Sequence, residues 1–565
     1  MRWAVPILPL ALGCGFVGFD ATSLGGDAAA DGDLADAGVP ADAADEQRDL
    51  GAGFDEAGFD DAGFDDAGFD DAGDGGGAAV DAGAPTFFIS PSGSVGAPGT
   101  REEPFRTFSE ALAALTPGST LVLLSGRYSA SSGTGVMRID CRPDSTQCAG
   151  APCPSGTAGA PITVIADQER MAQLHAEAGD VDYMGSMREC GHYRIEGLTF
   201  IGADIAGNPW HSLNISHSSN VVVRRNLFMG NNRFANSHLL IIGDSSDVLA
   251  EENELYNFHR AALSIYLSNN VTARRNYANS RGHADIDGGR DSGFPEAGDA
   301  AFSCSHSHGC LYENNVSDGL VDDAFEIGVS LDHADFTGEG DDARFIGNLA
   351  IGSQYGVFGA SSCGGATDCG DFDERVIDRP TIQNNVFMEQ VFTGVLLRGV
   401  REALVDHNTF FESRMRIDRF DTNQHLQNSA RVTNNSIVDA GSFAIVVAQQ
   451  STRFVGFNNT FGPGSDTSFD GGDEGIGVNT NVDPSNGACI HRNDLGSPLI
   501  GEGEGGSNIG ATIVNRYEDG VLTDTPLWAP DGSFACGAVV PGINDTGPRC
   551  TNVHARFNVG TCAIE

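Results

Sequence analysis

Two acidic runs in the middle of the chain carry the residue types that could do chemistry. HADIDGGRD holds His283, Asp285, Asp287 and Arg290, and LVDDAFEIG further on holds Asp322, Asp323 and Glu326. Arg260 precedes both. Five carboxylates in two short runs are suitable oxygen ligands for one hard cation such as calcium, or hydrogen-bonding partners for a hydroxyl-rich chain. An Arg or His beside them could move a proton. Acidic groups on an acidic protein can also simply solvate an outer face. Stacked carboxylates repel, however, and need a cation, an Arg or protonation to sit together. A third run, CSHSHGC from Cys304 to Cys310, has metal-ligand types at close spacing, and so can be read as a zinc or copper cluster. In an oxidising compartment the same spacing is more simply a disulfide.

These residues must be held by something, and the sequence around them repeats. An apolar strand, an Asn and a second apolar strand recur as VVVRRNLF to Asn226, DVLAEENEL to Asn253, VTARRNYA to Asn276 and CLYENNVS to Asn315. The phrase continues through Asn348, Asn385, Asn408 and Asn435 to FVGFNNTF at Asn459. Successive anchors lie 27, 23, 39, 33, 37, 23, 27 and 24 residues apart. Constant strands with variable loops mark a solenoid of stacked coils, each about 4.8 Å from the next. The anchor Asn residues themselves read as an inward ladder that satisfies backbone groups at the turns, not as catalysts. Counting ten residues on from each anchor gives Leu263, Ile286, Phe325, Phe358, Val395 and Ile445, an apolar line expected to point inward. Alternation then turns Ser264, Asp285, Asp287 and Glu326 outward, with Asp322 and Asp323 in the preceding turn, and assembles the candidate site on adjacent coils.

Composition bounds the rest. The 565 residues include 78 acidic and 32 basic side chains, net −46, and every basic residue is Arg. A nucleic-acid surface is excluded on charge. Thirteen Cys become twelve if Cys14 is set aside, an even number suited to disulfides. Cys304 with Cys310 and Cys363 with Cys369 are spaced to close small loops; others could pair among Cys141, Cys148, Cys153 and Cys190, and among Cys489, Cys536, Cys550 and Cys562. From Asp20 to Ala84 the chain collapses to Ala, Asp and Gly, with nineteen acids facing only Arg48. Such a segment is expected to be a disordered, extended tether. It lacks the GGxGxD spacing of calcium-binding rolls.

The opening MRWAVPILPLALGC, one Arg and a short apolar run before Cys14, resembles a bacterial lipoprotein signal, with Ala11 where that family usually has Leu. The resemblance implies cleavage before Cys14, its lipidation, and outer-membrane or surface placement. The stretch FFISPSGSVGAPGTREEPFRTFSEALAALTPGSTLVLLSGRY from Phe87 resembles the entry cap of right-handed parallel β-helix proteins, the pectate-lyase-like ones included. A strand, a short capping helix from about Thr107 to Leu115 and a second strand at Leu121 to Leu124 are expected there. GSPLIGEGEGGSNIGA, Gly496 to Ala511, resembles the closing phrase of that superfamily. The fold class implied is all-β: a right-handed parallel β-helix with an N-terminal capping helix and an acidic tether. Its boundaries are 1–14 signal, 15–85 linker, 86–511 β-helix and 512–565 Cys-rich tail.

Pectate-type lyases of this fold use calcium on Asp clusters and a Lys or Arg base. With no Lys, Arg260 or Arg290 would have to serve, a demanding role at the guanidinium pKa. DDAFEIG resembles the DDCIAI phrase of polygalacturonase-like hydrolases, with Asp287 as a third acid, but their HG and RxK motifs are missing. The expectation is therefore an exported, monomeric lipoprotein that cleaves or binds an acidic polysaccharide with calcium as cofactor. Its candidate catalytic residues are Arg260, His283, Arg290, Asp287 and Asp322; its metal ligands are Asp285, Asp287, Asp322, Asp323 and Glu326. A non-catalytic carbohydrate-binding, adhesive or structural solenoid is the alternative, and aromatic residues on an outer face would favour sugar binding.

Overall fold

The computed structural model describes residues 83–176, 183–202, 211–230, 238–258, 260–280, 300–319, 321–330, 340–362, 377–418, 429–438, 443–447, 453–461, 466–469, 497–529, 533–544 and 549–553. They form a right-handed parallel β-helix of three long parallel sheets, with 13, 12 and 12 strands. Each coil visits them in turn: for example Ser219–Arg224 in sheet 1, Leu227–Met229 in sheet 2 and His238–Gly243 in sheet 3. Strands of successive coils pair in register, so that one residue type can stack along the whole body.

The corner between sheets 1 and 2 is where the anchors act. The residue before each anchor has positive φ, at Arg225, Glu252, Arg275, Asn314, Gly347, Asn384, His407, Asn434 and Asn458, which bends the chain sharply. That left-handed conformation costs about 1 kcal/mol for a residue with a Cβ. The anchor that follows offsets it. Asn276 Oδ1 accepts the Asn253 backbone N–H at 3.0 Å and its Nδ2 at 3.0 Å, while Asn276 Nδ2 donates to the Ala250 carbonyl at 2.8 Å. The same three bonds repeat from Asn226 to Asn459, and every member is buried. A second ladder runs along the corner between sheets 3 and 1, where Ser218, Ser245, Ser268 and Ser307 each accept the backbone N–H of the preceding coil.

Inside, the sheet 3 line is Leu213, Leu240, Leu263, Phe302, Phe325, Val357, Val395, Met415 and Ile445. Two positions differ from the counted register. The sheet 3 strand after Asn276 is Ala300–Ser305, so Phe302 and not Ile286 points inward there; Asp285 and Asp287 fall in the insertion between Asn279 and Ala300. One coil on from Phe325, Val357 is the inward residue and Phe358 pairs with Glu326 on the outside. The count fails because the loop between sheets 2 and 3 varies in length, whereas the anchor fixes only the corner before it.

At the entry end, Phe108–Ala113 forms the capping helix. Thr107 caps it by accepting the Glu110 N–H at 3.2 Å while its hydroxyl donates to Glu110 Oε2 at 2.9 Å. Phe108, Ala111 and Leu112 are buried over the first coils. Among the described residues no helix is long and apolar enough to cross a membrane.

The residues after Ser497 do not continue the coils. They run back along the sheet 1–2 corner as a strap that covers the outer face of sheet 2. Gly510 N–H donates to the Asn434 carbonyl at 2.7 Å, Thr512 N–H to Asn384 Oδ1 at 2.7 Å and Tyr517 N–H to Asn314 Oδ1 at 2.6 Å. Gly537 N–H then reaches Glu254 Oε1 at 2.9 Å. Ile513, Leu527, Trp528, Phe534 and Val540 of the strap pack on Leu227, Tyr256, Tyr277, Val316, Leu349 and Val386. Charges also alternate from coil to coil: half-buried Arg224 and Arg225, then buried Glu251 and Glu252, then Arg274 and Arg275, then Glu313. The strap contributes Glu518 to Arg275 at 3.5 Å and Asp519 to Arg274 at 3.7 Å.

Candidate functional site

The outer face of sheet 3 carries the sequence candidates that fall among the described residues. One row along it reads Ser264, Ser303, Glu326, Phe358, Leu396 and Arg416. A second reads His211, His238, Ala261, Ala300, Asp323, Tyr355 and Thr393. Glu326 and Asp323 thus lie on one coil, with Phe358 and Tyr355 beside them on the next. The strand Asp323–Ser330 positions both acids because inward Phe325 and Ile327 lock its register against Phe302. Asp322, in the turn before, accepts a hydrogen bond from Gln354 Nε2, and its carbonyl accepts the Tyr355 N–H at 2.8 Å.

The aromatic side of this face was not foreseen. Tyr355 lies 5.4 Å from Phe358 and 5.6 Å from Phe392, centroid to centroid, and the Arg398 guanidinium sits 6.0 Å from the Phe358 ring. Phe358 and Leu396 belong to a small apolar cluster separate from the core, with Tyr355 packed on it. Phe392 remains 40% exposed beside exposed Val391. The available signal was the placement of Tyr355 and Phe358 three residues apart on an outer strand, which the register error at Phe358 concealed.

Arg260 stands just before Ala261, two strand spacings from Asp323 in the same row, roughly 10 Å of backbone separation. Its charge acts on the His238 imidazole. His211 stacks on Tyr183 at 5.6 Å and lies 5.1 Å from His238, and its Nδ1 accepts the His238 backbone N–H at 3.3 Å. Burial pulls His211 down to about 4, and burial with the charges of His211 and Arg260 holds His238 well below the usual range. Both rings are neutral at pH 7. His283, Asp285, Asp287 and Arg290 lie outside the described residues, as do Cys14, Cys363 and Cys369.

Calcium needs six to eight oxygens converging at 2.3–2.6 Å. Among the described residues, the one trio of metal-ligating side chains with all ligand atoms within 4.8 Å is Glu254, Cys536 and Cys550, and those cysteines are bonded to each other. Asp322, Asp323 and Glu326 do not by themselves make a cage, and calcium there would need oxygens from elsewhere. Cys304 and Cys310 form a disulfide with Cα atoms 6.4 Å apart, which removes thiolate ligands and displaces the zinc or copper reading. Cys141–Cys190 and Cys148–Cys153 staple the first coils.

No protein-family model and no curated protein matches the sequence. Solved structures do resemble the fold. The Dettilon tailspike protein is 12% identical, with a TM-score of 0.41 over 63% of this chain, which spans 62% of the tailspike. Pectate lyase Pel9A is 13% identical, with a TM-score of 0.31 over 82% of this chain and 94% of the lyase. The catalytic unit of a GH87 α-1,3-glucanase from Streptomyces thermodiastaticus is 14% identical, with a TM-score of 0.42 over 71% of this chain and 70% of that one. At these identities the likeness is one of fold.

Proposed function

We propose that the protein is exported, anchored through a lipidated Cys14, and binds an extracellular polysaccharide across the outer face of sheet 3. The observation that carries the binding reading is the cluster of Tyr355 and Phe358 one coil from Asp323 and Glu326, with Phe392 on the coil beyond. Aromatic rings match the apolar C–H faces of sugars, and carboxylates accept from hydroxyls. Arg398 beside Phe358 suits a uronate carboxylate, and so favours an acidic glycan. Calcium enters this reading as a bridge: Asp323 and Glu326 would supply part of its shell and the glycan's own oxygens the rest. Cleavage is the second reading. It needs a base near the acids; among the described residues Arg260 stands two strands away, and His283 and Arg290 lie outside them, so it is the aromatic cluster that favours binding.

Affinity electrophoresis of the whole protein in gels containing pectate, alginate or a neutral glucan, with calcium or with chelator, tests both readings. Retardation by an acidic glycan, strengthened by calcium and weakened roughly tenfold by Phe392→Ala or Tyr355→Ala, is expected from the worth of one stacking ring. Binding that ignores both substitutions would remove the sheet 3 face from consideration. Release of unsaturated products, seen by ultraviolet absorbance, would establish a lyase instead.

A further inference from the structure

A second cluster, on another side of the coil that carries Phe392 and Arg398, is built for different chemistry. Asp406 ends a sheet 1 strand, His407 occupies the left-handed corner position before anchor Asn408, and Ser507 arrives on the strap. His407 Nδ1 lies 2.5 Å from Asp406 Oδ2, and His407 Nε2 lies 2.9 Å from Ser507 Oγ. The other Asp406 oxygen accepts the Thr433 hydroxyl at 2.7 Å and Asn434 Nδ2 at 2.8 Å. Burial raises the Asp406 pKa, but the His407, Thr433 and Asn434 contacts outweigh it and hold the carboxyl below its ordinary range. An ionised Asp406 fixes the tautomer: Nδ1–H donates to Asp406, and bare Nε2 accepts the Ser507 hydroxyl.

At three other corner positions an Asn clasps the strap backbone. Asn314 and Asn384 accept strap backbone N–H groups there, and Asn434 accepts the Glu504 N–H at 2.8 Å. His407 differs: it bonds a side-chain hydroxyl, and its far nitrogen is backed by a carboxylate that Thr433 and Asn434 orient. The loop is shaped around that hydroxyl. Left-handed Gly505 and Gly506 turn the chain just before Ser507, and a Cβ at Gly503 would lie 2.4 Å from Ser507 Oγ. His407 and Ser507 are both partly open to solvent.

We infer that Ser507, His407 and Asp406 form an acyl-transfer triad acting on short-chain carboxylic esters. Ser507 Oγ attacks the ester carbonyl carbon as its proton passes to His407 Nε2. The carbon–oxygen bond to the alcohol then breaks, and the alcohol leaves with that proton. Water, deprotonated by the same nitrogen, attacks the Ser507 ester and releases the acid, restoring the hydroxyl. Asp406 is a positioning residue that stabilises the imidazolium. The inference stands apart from glycan binding on sheet 3, and either can fail alone.

The test uses the whole protein with a fluorophosphonate probe and with p-nitrophenyl acetate. A covalent adduct located by mass spectrometry on Ser507, with esterase turnover that falls at least 100-fold in Ser507→Ala and in His407→Gln, is expected. Asp406→Asn should slow labelling of Ser507 on the order of 10³–10⁴-fold. The Ser507→Ala melting curve should match that of the unaltered protein, since the hydroxyl makes one side-chain contact. An unaltered protein whose Ser507 reacts no faster than its other serines overturns the inference whatever the variants do. So does turnover that survives Ser507→Ala, and a purely strap-clasping His407 would give both results.

Discussion

Replacing Glu254 by Gln should loosen the strap by an amount the surroundings of Arg170 determine. Both side chains are fully buried and ion-paired. Glu254 also accepts from Tyr256 at 2.6 Å, Gly537 N–H at 2.9 Å and Asn544 Nδ2 at 3.4 Å, which holds it ionised although burial opposes the charge. Gln has nearly the same volume, so no cavity term enters. What changes is that the guanidinium keeps only carbonyl partners, on Arg225 at 3.1 Å, Ala538 at 3.4 Å and Asn226 at 3.5 Å. A buried charge stripped of its counter-ion costs about 3–5 kcal/mol. At about 1.4 kcal/mol per decade, protection of the strap amides near Gly537 against hydrogen exchange should fall by roughly two to three and a half decades. Global unfolding is a poor readout, because long repeat arrays lose two-state behaviour. The double variant Arg170→Met with Glu254→Gln removes the orphan charge and should recover about 2 kcal/mol relative to the single. A loss below about 1 kcal/mol in the single, or a double variant whose effects merely add, would refute the reasoning.

The strap should also respond to pH through Glu313, whose carboxyl accepts the Asp519 and Gly520 N–H groups and which burial pushes up to about 7 from an ordinary 4.5. The folded state therefore keeps a proton the unfolded chain has lost, so stability falls as pH rises from 4.5 to 7 and levels off above, by on the order of 3 kcal/mol; Glu313→Gln should flatten that slope in hydrogen exchange of the Asp519 and Gly520 amides, corrected for intrinsic rates. In the Asn ladder, Asn348→Ala removes an acceptor for Asn315 N–H at 2.8 Å and Nδ2 at 3.1 Å and the donor to the Tyr312 carbonyl, and should cost about 3 kcal/mol locally, seen as exchange at Asn315 and Leu349. Cys14→Ser should move the protein from the membrane to the soluble fraction, with loss of lipid mass from the amino-terminal peptide; unchanged partitioning would sink the anchoring proposal.

The repeat was legible because backbone satisfaction at a corner demands one residue type at one place. The anchor spacings of 27, 23 and 39 reappear as hydrogen-bond separations, and the Ser218, Ser245, Ser268, Ser307 ladder repeats them, a signal present in the sequence and unused. The pairs before the anchors, Arg-Arg, Glu-Glu, Arg-Arg, likewise advertise cross-coil ion pairing. Sheet 3 was harder, since the insertion between Asn279 and Ala300 breaks any fixed count and moved the inward position from Ile286 to Phe302. The outer aromatic face was lost to that same one-residue sensitivity at Phe358. The strap has no period to read. Its partners lie between 70 and 368 residues away, and neither Glu254 nor His407 carries a local mark of the contact.

The strap also imposes an order of events on synthesis. Coils can stack one upon another as the chain emerges, each needing only its predecessor. Gly537 cannot meet Glu254 until the chain has grown 283 residues beyond it. Until then the outer row of Leu227, Met229, Tyr256, Tyr277, Val316, Leu349, Ile351, Val386 and Met388 faces water as one continuous apolar stripe. A chain stalled or clipped before the strap would therefore differ along most of its length from one whose strap has docked, offering proteases and chaperones an apolar marker that docking covers.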